Sequence, residues 1–149
     1  MRSVVQRVSM GQVVVDGKLI ANIGKGIVAL VGFQAGDSEK EFLFVLDKLI
    51  NLRIFEDLED KMNLSIQDIN GELLVIPNFT LYGDCRNGRR PSYSNAAKPN
   101  DARILFQTFC ETVRSCFPKV QFGEFQADMK VSLLNDGPVT LLIDSDKRF

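Results

Sequence analysis

Apolar and polar positions along this chain follow two different periods. Val4-Val5-Gln6-Arg7-Val8 is a short run rich in β-branched residues and predicts a strand. Gln12 to Asp16 and Lys18 to Ala21 predict two strands joined at Asp16-Gly17, a strong hairpin signal. After Gly24-Lys25-Gly26, Ile27 to Phe33 is continuously apolar, as expected of a strand buried on both faces. Leu52–Phe55, Leu73–Ile76 and Phe79–Tyr82 are further strand candidates, with Pro77 separating the last two. Asp128 to Leu133 alternates polar and apolar, so one face should be buried. Asp136-Gly137-Pro138 predicts a turn before a closing strand, Val139–Ile143.

The other period is helical. Ser38 followed by Glu41 forms a capping box, and Phe42, Val45, Leu46 and Leu49 then fall on one stripe. A second helix is expected from Asn100 as N-cap, with Leu105, Phe109, Val113 and Cys116 as its stripe and Pro118 as its stop. Glu56–Lys61 is an acidic loop and Arg86–Asn100 a long irregular one. Two helices among seven or more strands predict an α+β domain, mainly antiparallel, with both helices on one face. No repeat or linker divides the chain, so residues 1–149 are expected to form a single domain.

Composition narrows the chemistry. The chain carries 45% hydrophobic and 25% charged residues with a net charge of −1, so any nucleic-acid contact must come from a local basic patch or from shape. There is no histidine, which removes Ser-His-Asp and Cys-His catalysis and the usual nitrogen ligand of zinc; neither a metal nor a cofactor is expected. Cys85, Cys110 and Cys116 are odd in number and irregularly spaced, unlike a disulfide framework. No signal peptide or membrane span is apparent, so a cytoplasmic location is the expectation.

Three segments carry candidate chemistry. Pro77-Asn78-Phe79-Thr80-Leu81-Tyr82-Gly83-Asp84 holds a threonine that serves either packing or catalysis. Asn135-Asp136-Gly137-Pro138-Val139-Thr140 is either a plain turn or a device that aims two carbonyls one way. Arg86-Asn87-Gly88-Arg89-Arg90 is either a solvated loop or a phosphate grip.

Taken together, these segments resemble the bacterial-type D-aminoacyl-tRNA deacylases from end to end. The resemblance also covers Met1-Arg2-Ser3-Val4-Val5-Gln6-Arg7-Val8-Ser9, Asn51-Leu52-Arg53-Ile54-Phe55-Glu56-Asp57, Lys61-Met62-Asn63-Leu64-Ser65, Gly88-Arg89-Arg90-Pro91-Ser92 and Ala127-Asp128-Met129. It implies a three-layer β/β/α homodimer with active sites at the interface. The implied activity is hydrolysis of the ester between tRNA and a D-amino acid, or a glycine mischarged on the alanine tRNA, as translational proofreading. Gly137 and Pro138 would be joined by a cis peptide that enters the partner's pocket. Its carbonyls would take the substrate ammonium, while an L side chain would meet the wall. Arg7 would hold that loop. The backbone N–H groups of Phe79 and Thr80 would form an oxyanion hole beside Asn78. Phe125 and Met129 would meet the 3′-terminal adenosine.

The same resemblance leaves the nucleophile open between Thr80 and water assisted by the terminal 2′-hydroxyl. The lack of histidine favours the second, since no general base is evident for Thr80. Two positions depart from the family pattern: Pro77-Asn78 stands where Ser-Gln is usual, and Gln126 stands where glycine is usual. The first keeps open a relaxed specificity for an L-aminoacyl-tRNA, or a nucleic-acid-binding module without hydrolysis.

Overall fold

In the computed structural model, which describes residues 1–149, the Asp16-Gly17 turn joins β1 (Arg2–Val15) to β2 (Lys18–Ile23). Both turn residues have positive φ, 49° and 75°, the conformation whose twist suits a two-residue hairpin. β1 is one long strand rather than two short ones, because Asn135, Leu134 and Leu133 pair with Val8, Met10 and Gly11 across the join. Its first half pairs antiparallel with β3 (Gly26–Gly32) and its second half with β2. Both halves lie antiparallel to β8 (Met129–Asp144) on the opposite edge.

The sheet continues with β6 (Glu72–Pro77) and β7 (Val120–Phe122), both added parallel, in the order β2-β1-β3-β6-β7. Parallel neighbours need crossovers, and α1 (Glu39–Asn51) and α2 (Pro99–Cys116) supply them. Two right-handed crossovers stepping the same way place both helices on the same face of the sheet. The small pair β4 (Phe55–Glu56) and β5 (Met62–Leu64) lies inside the first crossover. Antiparallel pairs therefore outnumber parallel ones, as expected.

Side chains of β3 and β6 alternate between two cores. Ile27, Ala29, Val31, Leu73 and Val75 join Phe42, Leu49 and Phe109 beneath the helices. Val28, Leu74 and Ile76 join Val8, Val13, Ala21 and Ile23 on the other side. This explains the unbroken apolar run at Ile27–Phe33: its strand is covered on both faces. Helices, central sheet and the folded-over part of β1, β2 and β8 make the three layers. Phe33 anchors the helical side, packing edge-on against Phe42, Phe106 and Phe109 with centroids 5.9, 6.4 and 6.0 Å away.

The start of α1 is as predicted: the Glu41 carboxylate accepts from the Ser38 N–H at 2.9 Å and the Ser38 hydroxyl at 2.7 Å. α2 begins earlier than expected, with Lys98 as N-cap and Pro99 as the first helical residue, since proline suits a turn whose N–H is unused. Its buried stripe is Ala102, Phe106, Phe109, Cys110 and Val113, rotated away from Leu105 and leaving Cys116 exposed. Leu52–Ile54 is not a strand; α1 runs through Asn51 and only Phe55–Glu56 pairs. Phe79–Tyr82 is a 3-10 turn rather than a strand. The two strands expected near the C-terminus are one, because pairing with β1 resumes after an excursion. The ladder passes from Val8↔Asn135 to Gln6↔Thr140, so Asp136–Val139 bulge out opposite Arg7.

Candidate active site

β3, β6 and β7 are parallel, so their carboxyl ends open on the same side, where ligands of parallel sheets are usually held. A cleft of about 1110 Å³ lies there. Asn78 and Phe79 follow β6, Phe125 follows β7, and Met129 opens β8; all four line the cleft, together with Tyr93 and Lys98 from the connection to α2.

Pro77 ends β6, and Asn78 caps the 3-10 turn that follows. The Asn78 Oδ1 accepts from the Thr80 N–H at 3.2 Å and from the Thr80 hydroxyl at 2.5 Å. The Thr80 proton thus points to an amide oxygen, which has no basicity to remove it. First-turn N–H groups of a helix have no partner within it. The cap engages that of Thr80 and leaves that of Phe79. Phe79 is 58% exposed, and its ring packs edge-on against Tyr93 at 5.1 Å.

Phe125 is half-buried and stacks on Phe106 at 6.0 Å. The Arg103 guanidinium lies 5.1 Å from the centre of the same ring. Gln126 holds Arg103 there through its side-chain oxygen, and does so with a φ of 63°, a left-handed conformation that a non-glycine residue rarely takes. Met129 is half-buried, packs against the second core, and accepts the Glu124 N–H at its sulfur, 3.3 Å away.

Gly137, Pro138 and Arg7 do not line the cleft. They form a second cluster at the β8 excursion. The Gly137-Pro138 peptide is cis and both residues are exposed. Arg7 is 5% exposed; its Nε donates to the Asp136 carbonyl at 2.8 Å and its Nη1 to the Ile54 carbonyl at 2.8 Å, with Glu56 3.6 Å from Nη2. Asn135 closes the base of the excursion, accepting the Val139 N–H at 2.8 Å and donating to the Thr140 hydroxyl at 3.0 Å. Sequence reasoning gave Asn135 no role, although an Asx residue ahead of a Gly-Pro turn is the available signal. It also missed Tyr93 and Lys98, which only the chain path brings to the cleft, and Arg103, which packs on the Phe125 ring.

The arginine-rich loop springs from the cleft wall. Asp84 and Ser92 pair through two main-chain hydrogen bonds of 2.8 and 2.9 Å, one residue before Tyr93. Arg86 folds back on Asp84 with Nε and Nη2 bonds of 2.9 and 2.6 Å, which holds the Asp84 carboxyl well below the usual carboxylate range.

The family described as D-Tyr-tRNA(Tyr) deacylase matches residues 4–144. D-aminoacyl-tRNA deacylases of Clostridium botulinum and Thermosipho africanus are 51% and 52% identical, over the whole of both chains in each case. Among solved structures, the c-Myc DNA unwinding element binding protein is similar with a TM-score of 0.91 and 35% identity, over 97% of this chain and 98% of that one. A probable eukaryotic D-amino acid tRNA deacylase has the same fold at 17% identity, with a TM-score of 0.82 over 95% of this chain and 97% of that one.

Proposed function

The chain belongs to the D-aminoacyl-tRNA deacylase family, hydrolases of the aminoacyl-tRNA ester, and from that premise we propose how its two clusters divide the work. The observation that carries the proposal is the convergence of Asn78, Phe79, Phe125 and Met129, from three separate segments, on one cleft.

The cleft takes the 3′-terminal adenosine, with the base against Phe125 and Met129 and the ester carbonyl at the turn of Phe79 and Thr80. The Phe79 N–H meets the developing oxyanion first, because Asn78 already engages the Thr80 N–H. Thr80 is not the nucleophile, for its hydroxyl donates to Asn78 and no base faces it. Water attacks, helped by the neighbouring 2′-hydroxyl of the RNA. An aminoacyl ester is already activated, so positioning and oxyanion stabilisation suffice.

Chiral selection falls to Gly137 and Pro138. They are exposed outside the cleft of their own chain, which suits a homodimer in which Gly137 and Pro138 of the partner subunit complete each site at the interface. Exposed Leu134 and Leu142 on the same open-edged strand fit that association. Residues 1–149 act as a single domain, and the substrate places the enzyme in the cytoplasm; no helix is long and apolar enough to cross a membrane.

Purified protein given D-tyrosyl-, L-tyrosyl- and glycyl-tRNA side by side tests the reading. Rapid loss of the D and glycyl esters with the L ester spared is expected. Loss of the L ester would show that Pro77-Asn78 changes specificity. Retention of every ester, with tRNA still bound, would favour a binding role of the kind that the 35% identical protein's name describes.

A further inference from the structure

We propose that the loop between Asp84 and Ser92 is an arm that grips the RNA backbone just upstream of the terminal nucleotide, through Arg89 and Arg90. The proposal rests on the reading above, that the cleft holds the 3′ end of an aminoacyl-tRNA.

Four observations support it. From Cys85 to Pro99 the chain carries Arg86, Arg89, Arg90 and Lys98 and no acidic residue, a local positive stretch in a protein whose net charge is −1. Within that stretch the arginines are not equivalent. Arg86 is neutralised by its two-point contact with Asp84, whereas Arg89 and Arg90 enter no ion pair and are exposed. Guanidinium groups left free on a loop are suited to phosphate oxygens, which they bind through paired N–H donors.

The loop is also anchored. The Asp84–Ser92 bridge closes its base, and the Arg86–Asp84 contact stiffens its first side. Less ordering is therefore left for binding to impose. Finally, the base sits at the cleft. Ser92 precedes Tyr93, whose ring packs on Phe79 and lines the cavity. Arg90 and Arg89 stand two and three residues before Ser92, roughly 10 Å of extended chain at most. A strand leaving the cleft past Tyr93 would bring its next phosphates into reach of both side chains, with Lys98 at the same opening. Phosphate contacts of this kind position the RNA without reading its sequence.

The test compares the wild type with the R89Q/R90Q double variant on D-tyrosyl-tRNA and on D-tyrosyl-adenosine, which has no upstream phosphates. On the tRNA, kcat/KM should fall about tenfold or more, through KM, and the log-log slope of kcat/KM against salt should flatten by about one to two. On D-tyrosyl-adenosine the two proteins should be equal. Unchanged KM and salt slope on the tRNA would overturn the proposal, as would equal losses on both substrates, which would place the arginines' effect on the cleft itself. Wild type inactive on both substrates would instead refute the deacylase reading. In that case binding of uncharged tRNA measures the arm alone, and equal affinity of wild type and variant would overturn it.

Discussion

The Arg7 guanidinium reaches the main-chain carbonyl of Asp136 at 2.8 Å, and the same side chain reaches the Ile54 carbonyl at 2.8 Å. One buried cation thus ties the β8 excursion to the segment after α1. Arg7→Met removes both donors while keeping much of the volume, and should lower stability by about 2–3 kcal/mol. Arg7→Lys keeps the charge but not the fork that spans both carbonyls, and should fall between. Both variants should hydrolyse D-tyrosyl-tRNA at least tenfold more slowly at a temperature where they remain folded. Denaturant melts and single-turnover rates measure this, and full activity in folded Arg7→Met would remove Arg7 from the mechanism.

Gly137 has a φ of 138°, and a Cβ placed there would lie 2.9 Å from Arg7 Nη2 and 3.0 Å from the Val139 nitrogen. The arginine tip can move, but the backbone nitrogen cannot. Gly137→Ala should cost about 1–3 kcal/mol and displace the excursion. D-ester hydrolysis should drop more than the melting curve accounts for. A variant with wild-type discrimination between D and L esters would show that the excursion plays no part in selection.

Thr80→Ala removes a hydroxyl that donates to Asn78 and leaves every backbone N–H in place. The rate on D-tyrosyl-tRNA should stay within about tenfold of wild type, less than the loss expected when a nucleophile is removed. Disappearance of activity in a well-folded variant would return Thr80 to the role of nucleophile.

Gln126 holds a φ of 63° on an exposed position, and its side chain gains only a hydrogen bond to Arg103. Glycine takes that backbone conformation freely, whereas other residues pay about 1 kcal/mol. Gln126→Gly should therefore raise the thermal midpoint slightly while loosening Arg103 from the Phe125 ring. A lowered midpoint would mean that the Arg103 contact outweighs the backbone conformation.

Burial pushes the Cys110 thiol from its ordinary value of 9.0 up to about 12, and burial likewise raises the Tyr82 phenol. A folded-state value above the unfolded one favours the fold fully below the unfolded value and loses that contribution as pH rises through the folded value. Stability should thus be flat to about pH 9 and decline towards pH 12. Urea midpoints across that range check the direction, and Cys110→Ala should weaken the decline. A midpoint independent of pH above 9 would contradict it.

Much of this architecture is determined by local sequence. The Ser38–Glu41 box, the Asp16-Gly17 turn and the doubly buried run at Ile27–Phe33 each depend on neighbours within a few residues, so their signals survive in a linear reading. The family motifs likewise single out Asn78, Phe79, Phe125 and Met129, which the fold brings to one cleft. One failure was local: Phe79–Tyr82 has strand-forming residues, yet the adjacent Asn78 caps it into a 3-10 turn at the end of β6. The others depended on distant partners. The β8 segments fuse because β1 pairs with both sides of the excursion. Which cluster lies in the cleft and which outside it follows from long-range pairing. Such pairing depends on the path of the whole chain, so only the tertiary structure decided it.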